Sequence, residues 1–436
     1  MSSLPEVSIF WFRRDLRLHD NVGLYYALKE SKAVLPIFIF DTQILTQLQN
    51  PQDVRVNFIY SCVEYIQGVC KEFGSSLYVL YGNPIDVFSN LISQFSVVSV
   101  YANRDYEPYG IKRDASVELF LTQNGIAFYT FKDHVIFEQD EVVKQDGNPY
   151  TVYTPYAKTW KMKFSQMQLQ SYTSEQLLSH LFKTSVIPIP SLDSIGFSPT
   201  SVCSHIPQIP VDCIQNYHKT RDFPAIEGTS QLGVHLRFGT VSIRELVCIA
   251  IQHNHVWLNE LIWREFFSMI LYHFPQVVHA NFKSQYDSLQ WINNEEHFQR
   301  WCDGETGYPI VDAGMRQLNE TGFMHNRVRM ITASFLCKHL LIDWQWGEAY
   351  FAQKLIDYEL SSNNGNWQWA ASTGCDAVPY FRIFNPYEQT KRFDAEYLYI
   401  QKWVPNYNSS TYIKPIVEHS FARQRALQTY KKCTKF

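Results

Sequence analysis

"VSIFWFRRDLRLHDNVGLYYALKESKAVLPIFIF", residues 7–40, holds two runs of branched and aromatic residues separated by a helical stretch, "NVGLYYALKE". Strand, helix and strand at this spacing read as one βαβ unit, which sets the two strands parallel. The alternation continues through "RVNFIYSCVEYIQGVCKEFG", "SLYVLYG", "PIDVFSNLISQF", "VSVYANRD", "DASVELFLTQNG" and "IAFYTF". Residues 1–131 are therefore expected to form an α/β domain, a parallel Rossmann-like sheet with helices on both faces. No G-x-G-x-x-G follows the first strand, so a dinucleotide site of the usual kind is not expected there.

From 132 to 205 the pattern gives way to Pro, Ser, Thr and Gln, as in "TSVIPIPSLDSIGFSPTSVCSHIPQIP", and an interdomain linker wrapped over the surface is expected. Residues 206–436 change period. "SIRELVCIAIQ", "VWLNELIWREFFSMILYHF", "VDAGMRQLNETG", "MHNRVRMITASFLCKHLLIDW" and "GEAYFAQKLID" repeat at helical spacing and predict an all-α C-terminal domain.

A chain of 436 residues is long enough for two or three domains, and 46% hydrophobic against 18% charged residues allows each a core. Aromatic residues reach 16%, with 11 Trp, which suits a large aromatic interior or a flat ligand. The formal charge of -4 offers no global footprint for nucleic acid, so any such contact needs a local basic patch. Nine cysteines without a C-x-x-C pair argue against a disulfide framework and a structural zinc, and point to a reducing cytoplasm. No run is long enough for a membrane span, and no targeting segment or metal site is expected.

Three constellations carry possible chemistry. In "WLNELIWREFF", Glu260, Trp263, Arg264 and Phe267 share one helix face. One reading is an amphipathic helix with a Glu260–Arg264 surface pair; the other is a site that stacks a base and hydrogen-bonds its edge. In "MHNRVRMITASF", Asn326, Arg329, Met330 and Ala333 share a face, and Arg329 and Asp357 are candidates for a buried pair. "EGTSQLG" sets Thr229 and Ser230 before a helix, as a phosphate cradle or as an ordinary turn. The Asn/Gly-rich "NNGNWQWAASTG" (363–374) carries Trp367 and Trp369 without helical periodicity and is expected as a loop.

Taken together, "FWFRRDLRLHDN", "RDFPAIEGTSQL", "WLNELIWREFF", "TGYPIVDAGMRQLNETGFMHNRVRMITASFL", "LLIDWQWGEAYFAQKLID" and "NNGNWQWAASTGCDAVPYFRIFNP" resemble the photolyase and cryptochrome family, and within it the class I cyclobutane pyrimidine dimer (CPD) photolyases. The resemblance implies an antenna domain, a linker and a helical domain holding FAD, reduced in its active state. It places the flavin contacts on Tyr217, Thr229, Ser230, Gln231, Leu232, Trp257, Arg264, Asn326, Arg329, Asp357, Glu359 and Asn363. Glu359 stands where the family usually has Asp, Gly233 where Ser is usual and Phe323 where Trp is usual. Asn363 would face flavin N5, as in photolyases; plant cryptochromes carry Asp.

The resemblance also implies light-driven repair of pyrimidine dimers in DNA by electron transfer. Glu260, Trp263, Asn326, Met330 and Trp369 would line the lesion pocket, Glu260 hydrogen-bonding a thymine carbonyl. Arg327 and Arg382 would meet phosphates. Trp367, Trp344 and Trp291 would form an electron relay to the flavin. Arg55, Asp105 and Glu107 correspond to positions that contact a deazaflavin antenna in some relatives, with folate or an empty pocket as the alternatives. A monomer is expected. The nearest alternatives are a six-four photolyase, which usually carries a His pair in its lesion pocket, and a signalling cryptochrome, against which stands the chain's end at Phe436 soon after the helical domain.

Overall fold

The computed structural model describes residues 4–202 and 204–433. Cys203 of the cysteine count and the terminal Phe436 lie outside the described residues. The chain divides into two compact units that interleave along the sequence. The first takes the chain up to Glu138, Lys163–Ile209 and Leu232–Ile249; the second takes Gln139–Met162, Pro210–Gln231 and Ala250 onward. The stretch read as a linker thus contributes to both units.

The first unit is built on five parallel strands, β1 (Glu6–Phe12), β2 (Val34–Asp41), β3 (Tyr78–Gly82), β4 (Ser96–Asn103) and β5 (Ala127–Phe131), in the order β3-β2-β1-β4-β5. All eight residues of β2 are buried, as expected of a central strand covered on both faces. The four covering helices are α1 (Val22–Glu30), α2 (Val54–Glu72), α3 (Pro84–Gln94) and α4 (Pro108–Gln123). Asn21, Asp53 and Asn83 cap the first three by accepting backbone N–H bonds. One core layer packs Ile9, Trp11, Ile37, Phe88, Leu91, Val100, Val117 and Leu121.

The "RRDLRLHD" stretch after β1 is polar because it is knitted into a buried ionic lattice. Arg17 meets Asp133 at 2.7 Å, and Arg244 meets both Asp20 and Asp133 at 2.9 Å. Burial alone would raise the Asp133 carboxyl, but Arg17 and Arg244 overcome it and hold the carboxyl below its ordinary range.

The second unit is helical: α5 (Tyr153–Gln166) as far as Met162, α6 (Val211–Thr220), α7 (His255–His273), α8 (Pro309–Thr321), α9 (Asn326–Ser334), α10 (Trp344–Lys354), α11 (Leu360–Ala371) and α12 (His419–Cys433) carry its main packing. The sequence reading passed over α5, which falls in the expected linker. Its Lys-rich, weakly amphipathic surface hides Tyr156 and Trp160, both buried, with Trp160 Nε1 donating to Glu265 at 2.5 Å.

The stretch expected as a loop, 363–374, is a correction: most of it is helix α11. Asn and Gly are poor helix formers, and tertiary packing overrides propensity here. Asn364 and Gln368 turn inward and donate to the Val277 carbonyl at 2.9 and 3.0 Å. Gly365 lies against the Phe267 ring of α7, and Gly347 of α10 against the Trp367 ring; a Cβ at either position would collide with that ring. Two glycines therefore let α11 settle between α7 and α10. Its C-terminus is closed by Ser372 at φ 72° and by the buried Lys338, whose Nζ donates to Ala371 O at 3.1 Å and Ser372 Oγ at 2.8 Å.

Candidate functional site

Within the helical unit, α9, α10, the connection 355–359 and α11 line a cleft that opens to solvent. Of the residues singled out from sequence, Asn326, Arg329, Met330, Ala333, Asp357, Glu359, Asn363, Trp367 and Trp369 line it. Residues far apart in the chain thus meet in one cavity. The Arg329–Asp357 pair forms at 2.9 Å, with Arg329 Nε also donating to Met324 O at 2.7 Å. Arg264 does not pair with Glu260; it reaches Glu359 at 2.9 Å. The surface pair considered for α7 is therefore absent because each partner finds a better-placed charge across the fold.

Glu260 pairs instead with Arg221 at 2.5 Å. Burial pushes the Glu260 carboxyl above its ordinary range although Arg221 pulls the other way. The pair belongs to a chain of alternating charge. Arg221 Nε lies 3.8 Å from Asp222, and Asp222 meets Arg327 at 2.6 Å. The Arg327 guanidinium sits 4.4 Å above the Phe393 ring. Arg382 is exposed, 6.0 Å over Phe384.

Asn363 Nδ2 donates to Glu348 Oε1 at 2.8 Å and to Glu348 O at 3.1 Å. Both bonds are made by the amide nitrogen, so Glu348 fixes the side chain through its donor end. His325 is consumed structurally: it is buried and accepts Arg327 N–H as the N-cap of α9. Burial, then Arg329 and Arg327, lower it to about 4, so it is neutral at pH 7.

Trp367 and Trp369 are about 200° apart around α11. Trp367 is 2% exposed and packs edge-on against Phe351 and Trp301, at 4.9 and 6.1 Å. Trp369 remains half-buried in the cavity wall. Trp344 is buried, its Nε1 donating to Asn281 at 2.9 Å, and Trp291 is half-buried with Tyr430 edge-on at 6.2 Å.

Tyr217 is buried on α6 with the Arg221 guanidinium 5.2 Å over its ring, and Trp257 is buried on α7. Thr229 and Ser230 precede Gln231, whose φ of 51° is unusual for a residue with a side chain. Leu232, buried, belongs to the sheet unit. In that unit Arg55 pairs with Asp53 at 2.5 Å, Asp105 with Arg14 at 3.1 Å, and Glu107 with Arg237 at 2.6 Å and Arg14 at 3.4 Å. Arg14 thus joins Asp105 and Glu107.

Sequence reading missed Arg221, Asp222 and Glu348 as members of this neighbourhood. Arg221 and Asp222 open the quoted "RDFP" stretch, but only the fold reveals which acid each meets. The lining of the cleft fits a flavin: the Asn363 amide fixed by Glu348, the Arg329 guanidinium held by Asp357, the Glu359 carboxylate that meets Arg264, and two indoles.

Two family models match the chain: DNA photolyase over residues 8–174, and the FAD binding domain of DNA photolyase over residues 257–410. A deoxyribodipyrimidine photo-lyase of Synechococcus sp. is 39% identical over 424 residues, covering 91% of this chain and 87% of the relative. Among solved structures, a class III photolyase of Agrobacterium tumefaciens superposes with a TM-score of 0.86 at 30% identity, covering 100% of this chain and 99% of the other. A photolyase of Sulfolobus tokodaii solved with two FAD molecules gives 0.83 at 33% identity, covering 98% and 100%.

Proposed function

The chain belongs to the DNA photolyase family, an enzyme with an FAD-binding helical domain, and from that premise we propose that it repairs cyclobutane pyrimidine dimers in DNA under light. The observation that carries this reading is the meeting of Asn326, Met330 and Trp369 in one cleft with Asn363, Arg329 and Asp357. A lesion wall and a flavin wall then share a single cavity. FAD held there in its reduced form would supply a light-excited electron to the dimer and take it back once the cyclobutane ring has opened.

The protein's own groups do the rest. Trp263 and Trp369 offer flat faces to a nucleotide pair taken out of the stack, a mode of access known for photolyases in general. Glu260, with its carboxyl raised by burial, offers a proton or shared hydrogen bond to a base carbonyl, aimed at charge that develops during repair. Asn363, its amide fixed by Glu348, would face the isoalloxazine ring, and the Arg264–Glu359 and Arg329–Asp357 pairs would hold the cofactor without leaving an unpaired charge. Tyr217, Thr229, Ser230, Gln231 and Trp257 would complete the cofactor contacts from the helical unit. Trp367, Trp344 and Trp291 carry electrons inward from the surface, and Arg327 and Arg382 bind phosphates. Arg55, Asp105 and Glu107 border a second, antenna chromophore of the deazaflavin type. The protein acts as a monomer in the cytoplasm; among the described residues no helix is long and apolar enough to cross a membrane.

The same cleft argues against the six-four alternative. Asn326 and Met330 occupy the wall, and His325 is spent as a helix cap. Dark binding to oligonucleotides carrying a cyclobutane dimer, a six-four product or no lesion tests the assignment. The dimer is expected to bind best; preference for the six-four product would overturn it.

A further inference from the structure

Trp263 is not a bare platform. The Tyr153 ring lies parallel to it, with centroids 3.6 Å apart and planes 5° from coincidence. Phe266 meets the indole edge-on at 5.6 Å, and Phe267 lies tilted at 5.4 Å. Tyr153 is itself held at two points. Its hydroxyl donates to Asn259 O at 3.0 Å, and its N–H donates to Asp376 Oδ2 at 3.1 Å. Asp376 adopts φ 44°, in the left-handed region that Asp tolerates better than most residues. Behind Tyr153, helix α5 is anchored by buried Tyr156 and Trp160, the latter bonded to Glu265 of α7.

From this geometry we infer that Tyr153 is a positioning residue for lesion recognition, a rear platform that fixes the plane of Trp263 so that one indole face is presented to the substrate. The inference rests on the reading above that Trp263 borders the lesion pocket. Two consequences follow from elementary physics. A side chain sandwiched on one side loses its rotamer freedom before the ligand arrives, so less ordering is left to oppose binding. A half-buried indole with one face covered by Tyr153 has at most the other left to stack, which limits the approach of the flipped nucleotides to one side. Glu260 stands close enough to act electrostatically on the Tyr153 hydroxyl: burial first, then the Glu260 charge, raise it above its ordinary value. The hydroxyl therefore stays protonated and keeps its bond to Asn259 O.

The test replaces the plane and keeps the volume. Tyr153→Met fills the space without a flat face; Tyr153→Phe keeps the face and loses only the hydroxyl. Dark dissociation constants are measured for each protein on an oligonucleotide with one thymine cyclobutane dimer and on its undamaged twin, with melting temperature and bound flavin recorded alongside. Tyr153→Met is expected to lose about tenfold in the damaged-to-undamaged preference with undamaged binding unchanged, and Tyr153→Phe to restore most of it. A parent protein that prefers the dimer, with a Tyr153→Met variant that prefers it equally, overturns the inference alone. Equal losses on both oligonucleotides, or loss in Tyr153→Phe as deep as in Tyr153→Met, also overturn it by making Tyr153 mere packing. A parent without any preference for the dimer overturns the lesion-pocket reading, and this inference with it.

Discussion

Arg221 and Glu260 close on each other at 2.5 Å, yet burial keeps the acid above its ordinary titration range. The carboxyl assigned to the substrate is therefore balanced between a guanidinium that favours its charge and an interior that opposes it. Removing Arg221 removes the opposing influence, so Arg221→Met is expected to raise Glu260 further. The alkaline limb of repair against pH, measured at saturating lesion and constant light, should move to higher pH. An unmoved limb would mean that the Glu260 proton does not limit repair.

On the proposed reading the two indoles of α11 have separate tasks, which mutation can pull apart. Trp291→Phe should abolish photoreduction of the oxidised flavin by an external donor and leave repair intact once the flavin is reduced chemically. Trp369→Ala should do the reverse, weakening dark binding to the dimer by about 1–3 kcal/mol, the scale of one stacking platform. Photoreduction at the parent rate in Trp291→Phe would place the relay elsewhere.

Gly347 is the contact point of α10 with the Trp367 ring. Gly347→Ala improves helix propensity by about 1 kcal/mol but forces the buried indole aside, and overpacking costs about 1–3 kcal/mol or more. A net fall in melting temperature with loss of bound flavin is expected. A rise in melting temperature would show that α11 can shift freely.

His325 is held neutral, at about 4 against an ordinary 6.5. Because the folded value is depressed, the unfolded chain binds the extra proton first. The stability tied to neutral His325 is full above pH 6.5 and is lost as pH falls toward 4, by up to about 3 kcal/mol at about 1.4 kcal/mol per pH unit. His325→Asn keeps a cap acceptor without a titrating ring. Its urea midpoint should fall less steeply than the parent's between pH 6.5 and 4; parallel slopes would contradict this.

How much was legible beforehand depended on range. The parallel sheet followed from period and run length, which are local. Arg329–Asp357 was anticipated as a pair and is formed, whereas Glu260–Arg264 was not formed although both lie on one helix face. Helix spacing tells which residues are neighbours on a surface, but Arg221 and Glu359 arrive from elsewhere in the chain and win. Helix α11 was hidden for the opposite reason. Its Asn and Gly residues weaken the local pattern in order to admit Phe267 and bond Val277. Tyr153 escaped notice because its value lies wholly in a stack with a residue 110 positions away.

The most direct test of the whole account uses the flavin-reduced protein and two oligonucleotides, one with a single thymine cyclobutane dimer and one with a six-four product. Under blue light the account predicts restored thymines on the dimer substrate, none in the dark, and no change in the six-four product. An intact dimer after illumination, with the flavin reduced and the DNA bound, would contradict it.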